Sequence, residues 1–353
     1  MMPLYLLGAL AMSLCIAGLI EFQLHNRSLS SIPLRIHVNG TRGKSSVTRL
    51  VAAGLREGGL KTFAKTTGTA PRVIDPEGKD RIIHRLRLPS IGEQVRLLRY
   101  FASEKPDAVV IECMAVQPQY QWIAEHQMIK SHIGVITNVR PDHLEEMGPT
   151  EEDVAYSLCN TIPNEALLIT AEDQKPDILK AVAKQNNSQV VCSDPTSISQ
   201  KEIDLFTYIE HRSNVAIAID VCEKAGIDRQ TALNGMHKVQ PDVGALVVWD
   251  LMIKDSRYKF VNGMAANDPV STLGIWNSIN DRYGLGKKTC IFFNSREDRP
   301  GRTAQMIELT LSKIKPDFFI IRGDKVLKII NDLVYLSPLT IIKTFDLNKK
   351  LTK

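Results

Sequence analysis

Leu34-Arg35-Ile36-His37-Val38-Asn39-Gly40-Thr41-Arg42-Gly43-Lys44-Ser45-Ser46-Val47-Thr48-Arg49-Leu50-Val51 is the stretch that sets the architecture of this chain. Leu34 to Val38 is a short apolar-rich run that ends at Asn39-Gly40. Past the loop, Val47, Leu50, Val51, Gly54 and Leu55 recur at helical spacing, and Gly58-Gly59 supplies a stop. The order is strand, glycine loop, helix. In such a loop glycines let backbone amides approach phosphate oxygens, and the helix N-terminus favours their charge. The lysine reaches between phosphates and the serine hydroxyl can ligate magnesium. Gly40, Thr41, Arg42, Gly43, Lys44, Ser45 and Ser46 are therefore assigned to a nucleoside triphosphate, with Ser45 on the metal. The spacing GxxGKS is two residues shorter than the common GxxxxGKS form. A glycine-rich structural turn is the plain alternative, and it leaves Lys44-Ser45 between those flanks without a reason.

Working outward, Ala108 to Cys113 and Ile133 to Val139 read as buried parallel strands, and Tyr120 to Met128 as a crossover helix between them. Ala166 to Thr170 continues the pattern. Ligands of doubly wound sheets gather beyond the carboxyl ends of strands, which puts Glu112 and Asn138 where chemistry is expected. Ser213 to Gly226 reads as a helix closed by glycine. After the turn-rich break Gln240 to Gly244, new strand candidates appear at Phe260-Val261, Thr289 to Phe293 and Phe318 to Ile321. The expected fold is α/β: a parallel-sheet nucleotide-binding domain over 33–244 and a smaller α/β domain over 245–353.

The 353 residues leave room for two packed domains beside a membrane segment. Hydrophobic and charged fractions of 44% and 24%, with no low-complexity tract, argue against disorder. A net charge of +5 suits anionic substrates or an anionic lipid surface but is too diffuse for nucleic acid. Six cysteines without CxxC pairing fit reduced thiols. From Leu4 to Ile20 the sequence LYLLGALAMSLCIAGLI carries no charge, and as a helix it is roughly 26 Å long, near the lower limit for a bilayer core. A cleaved signal peptide and a buried core helix are the rival readings. No Lys or Arg precedes the run whereas Arg27 and Arg35 follow it, and it is apolar on every side. Residues 1–22 are thus read as a single-pass transmembrane anchor with the body on the cytoplasmic side of a cell membrane, and 23–32 as a juxtamembrane linker.

Taken together, the loop Gly40 to Ser46, Thr66-Thr67-Gly68-Thr69, Glu112 after a strand, and Thr137-Asn138 followed by Asp142-His143-Leu144 resemble, in order, the motifs of the Mur-type amide ligases. The resemblance implies a nucleotide contact from Thr67 and Asn138, an adenine contact from Asn214 in SNVAIA, and metal ligation by Glu112. More specifically, NGTRGKSS, KTTGTA, ECMAVQPQY, FVNGMAANDPVSTLGIW and NSREDRPGRT resemble the ligase-subunit family of poly-γ-glutamate synthases. That likeness covers the chain up to about Gly323. The family's glycine- and histidine-bearing terminal segment has no counterpart before Lys353, which implies a shortened C-terminal domain.

Amide formation from a carboxylate requires activation, and an acyl phosphate made from ATP supplies a leaving group before an amine attacks. ATP and carboxylate substrates concentrate negative charge, so Lys44, magnesium and arginines are the expected stabilisers. Ser45, Glu112 and His143 offer a hydroxyl, a carboxylate and an imidazole to the metal, of which the first two are hard ligands. A surface ion pair for Glu112 and a helix cap or core position for His143 are the bland alternatives. Arg296, Asp298, Arg299 and Arg302 are assigned to the acyl phosphate or to glutamate carboxylates, against the alternative of a solvated charged loop. The resemblance implies glutamate and a growing poly-γ-glutamate chain as substrates, and other membrane subunits of a capsule synthase as partners. Another Mur-type ligase of the folylpolyglutamate kind, and a membrane-tethered ATPase for polymer export, are the remaining functional readings.

Overall fold

The computed structural model describes residues 2–68, 70–85, 89–241, 246–263, 269–284, 288–295, 300–323 and 326–345. The chain forms two compact units, Met1–Val248 and Trp249–Lys353.

The first unit opens with α1 (Met2–Ser30), followed by β1 (Leu34–Asn39) and α2 (Lys44–Glu57). β2 (Thr62–Thr66), β3 (Arg72–Ile74), β4 (Asp80–Ile82), α3 (Glu93–Ser103) and β5 (Ala108–Glu112) come next. α4 (Pro118–Ile123) runs on into a π-helical turn, Ala124–Ile129, before β6 (Ile133–Ile136). The unit continues through α5 (Leu144–Met147), α6 (Glu151–Cys159), β7 (Leu167–Thr170), α7 (Pro176–Gln185), β8 (Gln189–Cys192), α8 (Gln200–Asp204), α9 (Arg212–Lys224) and α10 (Arg229–His237). Its sheet has the order β4-β3-β2-β5-β1-β6-β7-β8. The six strands from β2 to β8 in that order are parallel, and β3 and β4 add an antiparallel edge. Strand order diverges on the two sides of β1, so the crevice beyond its carboxyl end is the topological switch point, and the glycine loop begins there.

Strand alternation sends apolar side chains to both faces. On one face Ile36, Val38, Val110 and Val135 meet Val47, Leu50, Val51 and Leu55 of α2 together with Val215, Ile219 and Met236 of α9 and α10. The stripe Val215, Ile217, Ile219 and Val221 is packing, as its composition suggests. On the other face Leu158, Ile162 and Leu179 cover β6 and β7, while Leu29, Ile32, Leu98, Phe101 and Ile129 cover β2 and β5.

The segment 23–32, read from its mixed polarity as a linker, continues α1 as far as Ser30 and docks on the body. Leu29 and Ile32 are 4% and 1% exposed, and His25 Nε2 donates to the Met128 carbonyl at 2.8 Å. These partners come from distant sequence, which is why local polarity did not reveal them.

β9 (Val247–Ile253) runs from the last residues of the first unit into the second and forms a ribbon with β10 (Ser256–Asn262), and the connecting residues Lys254 and Asp255 both have positive φ, as a tight two-residue hairpin turn requires. The second unit continues with α11 (Pro269–Tyr283), β11 (Cys290–Asn294), α12 (Pro300–Leu309), β12 (Phe318–Arg322), α13 (Val326–Leu333) and β13 (Ile341–Phe345). β11, β12 and β13 are parallel, and Ile307, Leu311, Phe319, Ile321, Val326 and Ile330 form the core between sheet and helices.

Candidate nucleotide-binding site

The loop after β1 is held by its neighbours before any ligand enters. Gly40 has φ +129°, and a Cβ there would lie 2.0 Å from Thr137 Oγ1. Gly43 caps α2 in the left-handed region at φ +83°, and a Cβ would lie 2.5 Å from Asn214 Oδ1. Both positions demand glycine for conformation and for space. Asn138, at the end of β6, clamps the loop. Its Oδ1 accepts from Thr41 Oγ1 at 2.6 Å and from the Arg42 amide at 3.1 Å, and its Nδ2 donates to the Arg42 carbonyl at 3.1 Å. Thr137 Oγ1 donates to that same carbonyl at 2.6 Å.

Lys44 Nζ turns back onto the carbonyls of Gly40 at 2.6 Å and Thr41 at 3.2 Å, so its ammonium stands at the mouth of the loop. Ser45 Oγ donates to Glu112 Oε2 at 2.9 Å, and the Thr67 amide donates to the same oxygen at 2.7 Å. Glu112 is 2% exposed, and its Oε1 accepts nothing among the described residues. The loop, the TTG segment and the strand-end carboxylate therefore meet at one point. Ser46 lies in the first turn of α2.

Asp142 reaches back to the loop through Arg42, Nη1 to Oδ2 3.7 Å. His143 follows it but faces elsewhere. It sits at φ +46° before α5, is 42% exposed at the side chain, and pairs with Glu146 at 3.7 Å rather than with Ser45 or Glu112. Asn214 lies in the first turn of α9, 5% exposed, against Gly43, with Nδ2 donating to Glu210 Oε1 at 2.7 Å. Burial pushes the Glu210 carboxyl upward, and the hydrogen bond from Asn214 opposes the shift. Beside these residues a cavity opens past the carboxyl ends of β6, β7 and β8, lined by Thr137, Asn138, Arg140, Thr170, Glu172 and Ser213. Arg302 lies in α12 of the second unit. Arg296, Asp298 and Arg299 lie outside the described residues.

Residues 38–248 match the Mur ligase middle domain, and residues 248–348 match the poly-gamma-glutamate synthase CapB C-terminal domain. Capsule biosynthesis protein CapB of Bacillus anthracis is 39% identical over 91% of this chain and 70% of its own length. The chain belongs to the CapB family of Mur-type ligases. A second CapB relative, the PGA synthase of Bacillus subtilis, is 36% identical over 88% of this chain and 79% of that protein. The fold is shared more widely. Mycobacterium tuberculosis folylpolyglutamate synthase complexed with ADP and AMPPCP superposes with a TM-score of 0.66 at 16% identity, covering 92% of this chain and 84% of that one. The Yersinia pestis bifunctional folylpolyglutamate synthase/dihydrofolate synthase, complexed with AMPPNP and a Mn ion, gives 0.66 at 13% identity over the same shares.

Two site features of this CapB-family chain escaped sequence reasoning. Thr137 was noted only as part of a motif, and its role as loop anchor depends on register between β1 and β6. Lys65, in the strand before Thr67, is fully buried with Nζ 3.5 Å from Glu93 Oε1, and Glu93 is itself bound by Arg85 at 2.7 Å. Burial pulls the Lys65 pKa down against the opposing pull of Glu93 and Glu112. Nothing in KTTGTA distinguishes a buried lysine from a surface one.

Proposed function

We propose that this chain is a membrane-anchored ligase that joins glutamate through γ-carboxyl linkages to a growing poly-γ-glutamate chain, with ATP as phosphoryl donor. The contact of Ser45 with Glu112 beneath the glycine loop carries the reading. Two hard oxygens lie side by side, and Oε1 of the buried carboxylate, which accepts nothing among the described residues, is available, a donor set that fits magnesium. Bound there, the metal would screen the phosphate charge that builds as the γ-phosphoryl group moves.

The chain's own groups supply the rest. Lys44 exchanges its two loop carbonyls for phosphate oxygens, which are stronger acceptors because they are charged. Amides of the loop and of the first turn of α2 point at the phosphates. Asn138 and Thr137 keep the loop in shape, and the cavity beside Asn214 takes the adenosine end. The carboxylate of the growing chain attacks the γ-phosphorus and ADP leaves; the amine of glutamate then displaces phosphate from the acyl phosphate. The guanidinium groups of Arg296, Arg299 and Arg302, in the same segment as Asp298, are assigned to the acyl phosphate or the glutamate carboxylates. The names of the 39% and 36% identical relatives, a capsule biosynthesis protein and a PGA synthase, support glutamate polymer as product.

Helix α1 anchors the chain, with Arg27 marking the cytoplasmic side, beside other membrane subunits of a capsule synthase. The test uses membranes bearing the full chain, incubated with ATP, magnesium and labelled glutamate. Wild type incorporates label and releases phosphate; Lys44→Ala does neither. Full turnover by Lys44→Ala overturns the mechanism.

A further inference from the structure

Helix α1 exposes Tyr5, Leu6, Leu7, Leu10, Leu14, Leu19 and Ile20, and the first charge after this surface is Glu21. The span Leu4 to Ile20 is about 26 Å long against a hydrocarbon core of about 30 Å, so the lipid boundary crosses the helix at Glu21-Phe22. That point is already in contact with the body. Arg99 Nη2 of α3 donates to Glu21 Oε2 at 2.6 Å. The Lys130 ammonium lies 5.8 Å from the Phe22 ring centroid and donates to Asn26 Oδ1 at 3.2 Å. One turn further on, Leu29 and Ile32 are locked into the core with Leu98, Phe101 and Ile129.

Helix and sheet thus leave no slack between bilayer and protein. The headgroup layer is about 6 Å deep on each side, comparable to the reach of one long side chain. Arg99 and Lys130 therefore stand inside it. Exposed Arg96, one turn back on α3, and exposed Arg27 on α1 join them, and neither has an ion-pair partner among the described residues. Arg35 does not belong to this set. Its guanidinium is spent on the carbonyls of Leu29, Ile32, Ile129 and Lys130 at 2.7 to 3.0 Å, closing the end of α1 onto the body.

We propose that Arg27, Arg96 and Lys130, set around the Glu21–Arg99 ion pair, form a docking surface for anionic phospholipid headgroups that fixes the first unit at one orientation on the bilayer. The proposal rests on the reading of α1 as a membrane anchor. Its consequence concerns the reaction site. Lys130 precedes β6 and α1 feeds β1, so the docked surface lies toward the amino ends of the strands. The ATP loop lies beyond their carboxyl ends, about 20 Å away along a six-residue strand, and so faces away from the lipid. Each basic residue within the surface layer contributes about 1 kcal/mol, a factor of about five in the docked population.

The test places the full chain in vesicles of pure phosphatidylcholine or of phosphatidylcholine with phosphatidylglycerol. The rate of amine acylation at Lys130 is read by mass spectrometry, and carbonate extraction reports insertion. The expected result is at least fivefold slower labelling on the anionic vesicles, reversed by high salt and by Arg27→Glu with Arg96→Glu, all with the chain still inserted. Equal labelling of inserted protein on both vesicles overturns the docking surface while leaving the anchor intact. Extraction of the chain by carbonate overturns both. Protection in native membranes but in neither vesicle also overturns it, in favour of a protein partner.

Discussion

Replacing Asn138 by alanine removes three hydrogen bonds that shape the nucleotide loop: those to Thr41 Oγ1, the Arg42 amide and the Arg42 carbonyl. Each is worth about 1 kcal/mol net, so the ordered loop loses about 2 to 3 kcal/mol relative to disordered alternatives. Backbone bonds that remain, such as Thr41 N to the carbonyl of residue 138 at 3.1 Å, keep the loss from being larger. Because ATP binds the ordered form, the cost appears in its apparent affinity as a roughly 30- to 150-fold rise in Kd. Isothermal titration of Mg-ATP and Mg-ADP into the purified full chain measures it. The two nucleotides should weaken alike, since the clamp acts on the loop and not on the γ-phosphate. Thr137→Val removes one bond to the same carbonyl and should weaken binding about fivefold by the same arithmetic. A folded Asn138→Ala variant that binds ATP at wild-type affinity refutes the reasoning, because the loop would then be ordered by something other than these contacts.

Gly40→Ala sets a Cβ 2.0 Å from Thr137 Oγ1 and 2.8 Å from the Thr137 amide, so nucleotide binding should be lost and the melting temperature lowered. Glu112→Gln keeps the shape but replaces the carboxylate beside Ser45 by a neutral amide; ATP turnover should fall by about two to three orders of magnitude and demand more magnesium, read by phosphate release against metal concentration. Buried His37 lies with Nδ1 2.7 Å from Glu125 Oε2. Burial alone would lower its pKa, but Cys113 and Glu125 lift it to about 9. A pKa raised on folding stabilises fully below the unfolded value of about 6.5 and is lost as pH climbs through 9, so denaturant midpoints should decline over that window by about 3 kcal/mol of stability at most. Flat stability between pH 6.5 and 9 would contradict a charged His37.

The strand-loop-helix unit was legible because its signals are local. Helical spacing from Val47 to Leu55 buries one face of α2, and glycine at 40 and 43 is a backbone requirement that any reader of the loop meets. The strands at 108, 133 and 167 were legible for a similar reason, as apolar runs too short for helices. The antiparallel edge β3-β4 was not, because strands of three residues carry no periodicity. Nor was the helical state of 23–30, whose apolar partners lie on α3 and the π-helical turn.

At the site, residue types identified the candidates and tertiary contacts sorted them. Ser45 and Glu112, 67 residues apart, share a hydrogen bond that follows from β1 and β5 pairing in register at Val38 and Glu112. Asn138 became a clamp on the loop and His143 a partner of Glu146, distinctions set by φ and by the path of the chain after β6. Sequence by itself determined the strand-loop-helix unit and the longer strands and named candidate residues for phosphate chemistry, because those depend on neighbours a few positions away. Only the tertiary structure decided which of them touch and which lysine is buried, because each depends on groups that the chain brings back from a distance.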